Sequence, residues 1–300
     1  MKHEGLLETR DGTQIWYGLT CKDKLPVVLT DGIGCDGFIW PYVVDHFADS
    51  YSLLRWHYRG HGRSESPPTP QGLSIEDLAE DLHELLQHLG IERAVLAGHS
   101  MGVQVILEYY RRHPERVAAL VPMCGSYERP ADTFHDTDRY RPVFDAAIRL
   151  FTTSKVAALL WRHLTPSKLG LHLARIAELN RHLVRAADFM PYLKHLGRMD
   201  PEVFFHMLGH AIDHSAKDVL ETIDVPTLII AGDKDKFSPL RCSIHMNRSI
   251  PFSQLAVLRG GSHAAPIEMP DEVEAQLEPF LENIARVEGF AAVVQTDKSQ

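Results

Sequence analysis

The chain reads Ala94-Val95-Leu96-Ala97-Gly98-His99-Ser100-Met101-Gly102. The four apolar residues that open this stretch predict a short buried strand, and residues 103–112, which contain neither Gly nor Pro, predict a helix. Ser100 would then sit on a sharp strand-to-helix turn, where a Cβ at either flanking glycine would collide with the neighbouring strand or helix. The pattern therefore predicts an exposed serine hydroxyl.

The spacing Gly-x-Ser-x-Gly is weak support on its own. Average Gly and Ser usage produces it by chance in about one in ten chains of this length. The competing interpretation is a glycine-rich turn with a bystander serine. Because a strand pattern precedes Ser100 and a helix pattern follows it, the sequence favours a nucleophile on a strained turn.

Composition predicts one large globular unit and narrows its partners. The chain has 300 residues, of which 44% are hydrophobic, enough to bury a sizeable core. A formal charge of −9, without a visible stripe of Lys and Arg, disfavours nucleic acid and acidic membranes as partners. Neither an apolar signal segment nor a run of eighteen apolar residues occurs, so we expect a soluble, cytoplasmic protein.

The four cysteines are scattered along the chain without the spacing of a metal site. In a chain of this length we expect buried thiols rather than a disulfide framework. They are Cys21, Cys35, Cys124 and Cys242.

Eight short aliphatic or β-branched segments predict strands, and helical patterns lie between most of them. After Gly125 the alternation stops for about ninety residues that are rich in Leu, His and Arg, and it resumes with a strand, a helix near 240–248, another strand and a final helix over 271–287. The predicted strands are 6–9, 14–20, 27–30, 52–57, 94–97, 117–123, 227–231 and 255–258.

This order predicts an α/β fold with a mostly parallel, eight-stranded sheet flanked by helices. We assign residues 1–125 and 216–287 to the core domain, 126–215 to an inserted helical cap and 288–300 to a flexible tail. One cap segment carries an apolar stripe that should pack on the main domain, pack on a neighbouring cap helix or line a pocket. Its members are Leu169, Leu173, Ile176, Leu179 and Leu183.

A serine nucleophile needs a base and a group that orients the base. Of the eighteen histidines, His263 follows the last predicted strand in a glycine-containing loop, at the end of the sheet where open α/β folds place their sites. Asp233 and Asp235 both follow the strand before it, and Asp235 is preferred because its longer loop lets the carboxylate turn towards the histidine. His99 should leave the turn in another direction and support the structure.

The chain order Ser100, Asp235, His263 resembles the α/β-hydrolase superfamily over about residues 5–285. Arg59-Gly60-His61-Gly62-Arg63-Ser64 is similar to the family's Arg-Gly-x-Gly-x-Ser turn, and Pro114-Glu115-Arg116-Val117 to its passage from helix to strand after the serine. The resemblance implies a Ser-His-Asp triad and also points to Asp235 as the acid.

Stabilisation of an oxyanion requires two fixed N–H donors. The Met101 N–H, at the start of the predicted helix, is one, and the resemblance assigns the other to the Ile33 N–H in the loop 31–34. Many relatives carry His at position 31 and an acid at position 57, where this chain has Asp31 and His57. We therefore expect Asp31 to point away from the oxyanion and to pair with His57.

Dehalogenases and epoxide hydrolases of this superfamily use aspartate as the nucleophile, so Ser100 points to acyl chemistry on carboxylic esters. The mechanism requires no metal and no organic cofactor. We expect a medium-sized, mostly apolar ester as substrate, although each aromatic candidate is about equally a core residue. Candidate pocket residues are Phe38, Trp40, Trp161, Phe189 and Met190, with Phe204 and Phe205 as further cap aromatics.

Other reactions fit the same triad: hydrolysis of a carbon–carbon bond, opening of a lactone, or perhydrolysis. The first needs a cationic clamp, which Arg162, Arg175 or Arg198 could supply if they are not simply solvated. A receptor that binds its ligand with little turnover is the alternative outside enzymes. A homodimer is left open.

Overall fold

A single sheet of eight strands organises the chain, for which the computed structural model describes residues 1–134, 137, 139–177 and 186–290. The strand order is β1-β2-β4-β3-β5-β6-β7-β8. β2 runs antiparallel to β1 and β4, and the other neighbours pair in parallel, which confirms the predicted fold class. The strands are β1 (His3–Glu8), β2 (Gln14–Leu19), β3 (Pro26–Thr30), β4 (Ser52–Trp56), β5 (Ala94–His99), β6 (Val117–Met123), β7 (Thr227–Gly232) and β8 (Ser253–Leu258).

Six helices of the described part of the chain flank this sheet. Buried side chains of α2, α3 and α10 form one apolar layer, and those of α1, α11 and α12 form the layer on the opposite face. Parallel strands buried on both faces explain the continuous apolar runs in the sequence. The helices are α1 (Pro41–Phe47), α2 (Ile75–His88), α3 (Met101–Arg112), α10 (Leu240–Ser249), α11 (Ala265–Glu268) and α12 (Pro270–Val287).

Between β6 and β7 the described chain is almost entirely helical, and we call its helices the inserted helices. α9 contacts α5, α6 and α2, so the inserted helices also reach the flanking layer of the sheet. They are α4 (Pro130–Thr133), α5 (Arg141–Thr153), α6 (Lys155–Leu164), α7 (Lys168–Ala177), α8 (Ala186–Arg198) and α9 (Pro201–Asp213). The boundaries of the cap domain stay a prediction, and residues 291–300 of the predicted tail lie outside the described residues.

Of the apolar stripe predicted for residues 169–183, the side chain of Leu169 is described. It is 54% exposed and lines a groove together with Leu164 and Trp161. Periodicity identifies an apolar face but not the direction in which the helix turns it. The side chains of Leu173 and Ile176, and residues Leu179 and Leu183, lie outside the described part of the chain.

All four cysteines carry thiols rather than disulfides, and Cys35, Cys124 and Cys242 are buried. No helix among the described residues combines the length and the apolar composition that a membrane span requires.

Candidate active site

The turn at Ser100 is strained and is enclosed by backbone. Ser100 has φ 57° and ψ −119°, and its N–H donates to the Met123 carbonyl at 3.1 Å. A Cβ on Gly98 would lie 2.3 Å from the Gly102 carbonyl oxygen, and one on Gly102 would lie 2.5 Å from the Thr30 carbonyl oxygen. Both glycines are therefore required for β5 to turn directly into α3.

Three side chains from separate strand ends meet at this turn. His263 Nδ1 lies 2.9 Å from Asp235 Oδ2, and His263 Nε2 lies 2.8 Å from Ser100 Oγ. With the proton on Nδ1 donated to the carboxylate, Nε2 accepts from the serine hydroxyl. The structure thus brings together the three residues predicted as nucleophile, base and acid.

Asp235 is held in place by its own loop. Its Oδ1 accepts the N–H groups of Phe237 and Ser238, both at 2.8 Å, which leaves Oδ2 for the histidine. Asp233 instead accepts the Gly260 N–H at 2.6 Å. The geometry therefore favours Asp235 over Asp233, because the backbone of the following turn aims its carboxylate at His263.

Two buried residues position the His263 loop. Glu268, on α11, accepts both the Ser262 N–H at 2.7 Å and the Ser262 hydroxyl at 2.5 Å. His99 Nε2 donates to the His263 carbonyl at 2.8 Å, and burial lowers the pKa of His99 to about 3. His99 is thus a neutral support, as expected from its place in the turn, whereas the role of Glu268 had no recognisable signal in the sequence.

The loop after β3 lies against the serine. A Cβ on Gly32 would sit 3.0 Å from Ser100 Cβ, so a side chain there would crowd the serine. Within the described chain, neither the Ile33 N–H nor the Met101 N–H donates a hydrogen bond to another residue. Both groups therefore have the unused donor that an oxyanion site needs.

His61, from the Arg-Gly-x-Gly turn, holds the loop after β3 in place. Its Nε2 accepts the Gly34 N–H at 2.9 Å, and its Nδ1 donates to the Arg59 carbonyl at 3.1 Å. Burial lowers the pKa of His61 to about 3, so the ring stays neutral and keeps the acceptor that Gly34 requires. The motif was visible in the sequence, but its contact with the loop was not.

The expected pairing of Asp31 with His57 is wrong. Burial raises the pKa of Asp31 to about 7, although the charge of the Arg55 guanidinium opposes this shift. His57 Nδ1 instead accepts the Arg63 N–H at 3.0 Å. His57 therefore has a backbone partner of its own and does not pair with Asp31.

The predicted pocket residues fall into three sets. Trp40 is fully enclosed at the start of α1, so it is a core residue rather than a pocket wall. Phe38 stacks on Tyr192 with ring centroids 4.7 Å apart and meets Phe189 edge-on at 5.8 Å. These contacts connect the segment just before α1 to α8.

The remaining two lie in the same apolar layer. Met190 is half-buried and packs against the layer on the α1 and α12 face. Trp161 donates from Nε1 to the Leu196 carbonyl at 3.1 Å and packs against Phe204 with ring centroids 5.4 Å apart.

Four apolar side chains border the site, and of these the sequence had singled out only Phe204. A Cβ on Gly34 would lie 2.5 Å from Leu196 and 3.0 Å from Phe204, so the oxyanion loop packs directly on α8 and α9. On the other side, Phe237 lies 5.1 Å from the His263 ring and 4.6 Å from the Phe134 ring. Phe237 follows Asp235 by two residues, but nothing in the sequence showed that its ring would face the base.

The arginines considered as a carboxylate clamp do not all face the triad. Arg162 lies 3.7 Å from Asp200 and is half exposed, and it shares a polar cleft of about 780 Å³ with Arg198. The cleft is bordered by Trp16, His57 and Arg63 rather than by the triad. The Arg175 side chain lies outside the described part of the chain.

Comparison with known proteins agrees with this architecture. The family model described as "alpha/beta hydrolase fold" matches residues 26–270, and the chain belongs to that family. The chain is 26% identical over 266 residues to "Putative carbamate hydrolase RutD" from Caulobacter sp. strain K31, covering 88% of this chain and 93% of that protein.

Two solved structures resemble it closely in fold. One is a thermophilic esterase from Thermogutta terrifontis, with a TM-score of 0.76, 23% identity and coverage of 94% of this chain and 99% of that one. The other is the enol-lactonase from Burkholderia xenovorans LB400, with a TM-score of 0.76, 21% identity and coverage of 92% and 99%. Family membership makes the protein a hydrolase.

Proposed function

We propose that this protein is a serine hydrolase that cleaves carboxylic esters of medium-sized, mostly apolar substrates through an acyl-enzyme. The observation that carries the proposal is the hydrogen-bonded path from Ser100 Oγ through His263 to Asp235, with distances of 2.8 and 2.9 Å. A serine hydroxyl is a weak nucleophile by itself, so a base already within hydrogen-bond distance makes its attack on a carbonyl feasible.

The reaction follows from the direction of these bonds. His263 Nε2 takes the Ser100 proton as Oγ attacks the ester carbonyl carbon, and Asp235 stabilises the resulting imidazolium. The N–H groups of Ile33 and Met101 stabilise the oxyanion. The imidazolium then protonates the leaving alcohol. Water attacks the acyl-enzyme with His263 as base, which releases the acid and restores the serine proton.

The surroundings of His263 suit this cycle. A second cation beside the imidazolium would oppose its formation. His99, whose ring centroid lies 5.1 Å from that of His263, is neutral because burial lowers its pKa to about 3. Thus the ring that supports the histidine loop adds no charge next to the base.

The side chains around the triad and the oxyanion loop support the proposed substrate class. Phe134 and Phe237 lie on the His263 side, and Leu196 and Phe204 lie against the oxyanion loop. Apolar and aromatic walls with few polar groups favour a ligand that is itself largely apolar. This supports an ester with an apolar acyl or alcohol part over a small polar substrate.

Carbamate hydrolysis is the second candidate, because RutD of Caulobacter is similar over most of this chain and carries that activity in its name. A carbamate carbonyl could be attacked by the same serine. Carbon–carbon hydrolysis has less support, because Arg162 lies near Asp200 in a separate polar cleft. Lactone opening and perhydrolysis use the same triad and belong in the same test.

The test is a chain-length series of p-nitrophenyl esters, assayed beside a simple carbamate, a lactone and a dienoic acid. We expect repeated turnover with a maximum at intermediate acyl length, and a loss of at least about 10⁴-fold in kcat for Ser100→Ala. Absence of ester turnover at every length would contradict the proposal. Preference for the carbamate would favour carbamate hydrolysis as the function, and a single turnover would indicate a receptor.

A further inference from the structure

Helix α6 turns an apolar stripe towards water. Val156, Leu160 and Leu164 follow one another at intervals of four residues and are 69%, 53% and 49% exposed. Leu159, beside them on the helix, is 57% exposed. An amphipathic helix of a water-soluble domain ordinarily turns such a stripe inward, so this stripe needs a partner.

The stripe continues onto the two neighbouring helices. Leu150 at the end of α5 is 50% exposed and Leu169 on α7 is 54% exposed. Together with α6 they border a groove of about 370 Å³ that also contains Trp161. We call this region the helical apolar surface, and it consists of Leu150, Val156, Leu159, Leu160, Leu164 and Leu169.

The charge around this surface is opposite to that of the whole chain. Residues 139–177 contain seven Lys or Arg residues and one acidic residue, although the complete chain carries a formal charge of −9. Arg149, Lys155 and Lys168 are exposed and form no ion pair with any residue that the structure describes. Exposed leucines are therefore accompanied by unneutralised cations on the same three helices.

We infer that the helical apolar surface docks on a lipid–water interface that carries anionic headgroups. The leucines would enter the boundary between headgroups and acyl chains, while Arg149, Lys155 and Lys168 contact the headgroups. The whole-chain charge predicted no acidic membrane partner. A surface potential acts over roughly 10 Å, however, so the local charge decides this contact.

Charge also argues against a second copy of the chain as the occupant. A two-fold interface through this surface would place the same patch on both sides and bring the cations of the two copies together. Because no acidic residues accompany them in 139–177 except Asp145, such an interface would gain little from ion pairing. An anionic lipid surface complements both the apolar and the cationic parts.

The surface is connected to the oxyanion loop through packed side chains. Trp161 contacts Phe204 and the Leu196 carbonyl, and Leu196 and Phe204 pack on Gly34. Docking would therefore bring the site close to apolar molecules dissolved in the lipid phase. The inference goes beyond the proposed function and does not require it, because binding is measured without turnover.

The experiment is co-sedimentation of the full chain with vesicles of phosphatidylcholine, alone or with phosphatidylglycerol. We expect binding to the anionic vesicles that weakens in high salt, and little binding to the neutral ones. The double variant Leu160→Gln/Leu164→Gln should lower the partition coefficient at least about tenfold. Each of Arg149→Gln, Lys155→Gln and Lys168→Gln should lower it about fivefold.

Matched controls lie outside the helical apolar surface. Phe252→Gln removes a 64% exposed apolar side chain beside β8, and Lys22→Gln removes an exposed cation after β2. Both should bind like the wild type, and so should Ser100→Ala, which separates docking from the proposed reaction. Equal binding to both vesicle types, no binding to either, or unchanged binding of the Leu160/Leu164 variant would overturn the inference. So would a dimer in sedimentation equilibrium that this variant abolishes.

Discussion

The carboxyl end of the sheet and the inserted helices differ in how far the protein itself contacts their side chains. At the sheet, Ser100, Asp235 and His263 are each held by backbone groups or buried side chains within about 3 Å. On α6, Val156 and its neighbours remain exposed to water. Thus the protein alone fixes the reacting groups, whereas the inserted helices present an apolar surface that a partner outside the chain could cover.

The two carboxylates that follow β7 should differ strongly in their effect on catalysis. Asp235→Asn should lower kcat about 10⁴-fold with little change in fold, because an amide favours the wrong tautomer of His263. Asp233→Asn, in the same loop, is the matched control and should lower kcat by less than about tenfold, since the Asp233 carboxylate contacts the Gly260 N–H and Lys234 rather than His263. Steady-state kinetics of both variants measures this difference in kcat. Equal losses would remove the distinction between the two carboxylates.

A second effect concerns the buried carboxyl of Asp31. Unfolded, it ionises near its ordinary pKa of 3.8, whereas in the folded protein burial raises its pKa to about 7. The unfolded state therefore releases this proton first, and folding loses stability as the pH rises from about 4 to about 7. Asp31→Asn cannot ionise, so relative to the wild type its free energy of unfolding should improve by up to about 4 kcal/mol over that range.

Urea unfolding of both proteins near pH 4 and near pH 8 measures this change. Asp145→Asn on α5 is the comparison in the inserted helices, where the carboxylate is 57% exposed and lies 3.3 Å from Arg141. Its effect should stay below about 1 kcal/mol at either pH. A pH-independent difference for Asp31→Asn would show that this carboxyl ionises normally in the folded protein.

The smallest effect contrasts two glycines. Gly98→Ala places a Cβ 2.3 Å from the Gly102 carbonyl oxygen, and we expect a loss of about 3 kcal/mol in stability together with loss of activity. Gly209→Ala, inside α9, meets nothing closer than 3.8 Å and should stabilise the protein by about 0.5–1 kcal/mol. Thermal unfolding of both variants tests the contrast, and a tolerated Gly98→Ala would contradict the account of the turn.

The sheet was predictable because its signals are local. The predicted strand at 117–123 has the same bounds as β6, and the strand predicted at 94–97 continues as β5 through His99. Ser100, Asp235 and His263 could be found because each follows a strand whose apolar run is readable. Chain order and family resemblance then placed them together.

The predictions that the sequence could not settle concern the direction of single side chains. Trp40 had an equal case as pocket or core, and only its complete burial decides for the core. Asp31 and His57 were expected to pair, but the charge of Arg55 acts on Asp31, and His57 accepts the Arg63 N–H. The sequence also left open whether Leu169 packs or lines a pocket, and the structure places it half exposed at the edge of a groove. Such outcomes depend on tertiary packing, which the spacing of residues in one chain does not determine.

The most direct test of the central claim is the site of covalent labelling. A fluorophosphonate is attacked by an activated serine hydroxyl, and the adduct can be located by peptide mass spectrometry. We expect one adduct, on Ser100, that is lost in Ser100→Ala and forms much more slowly in His263→Ala. Labelling of a different residue, or of Ser100 at an undiminished rate without His263, would contradict the proposed nucleophile and base.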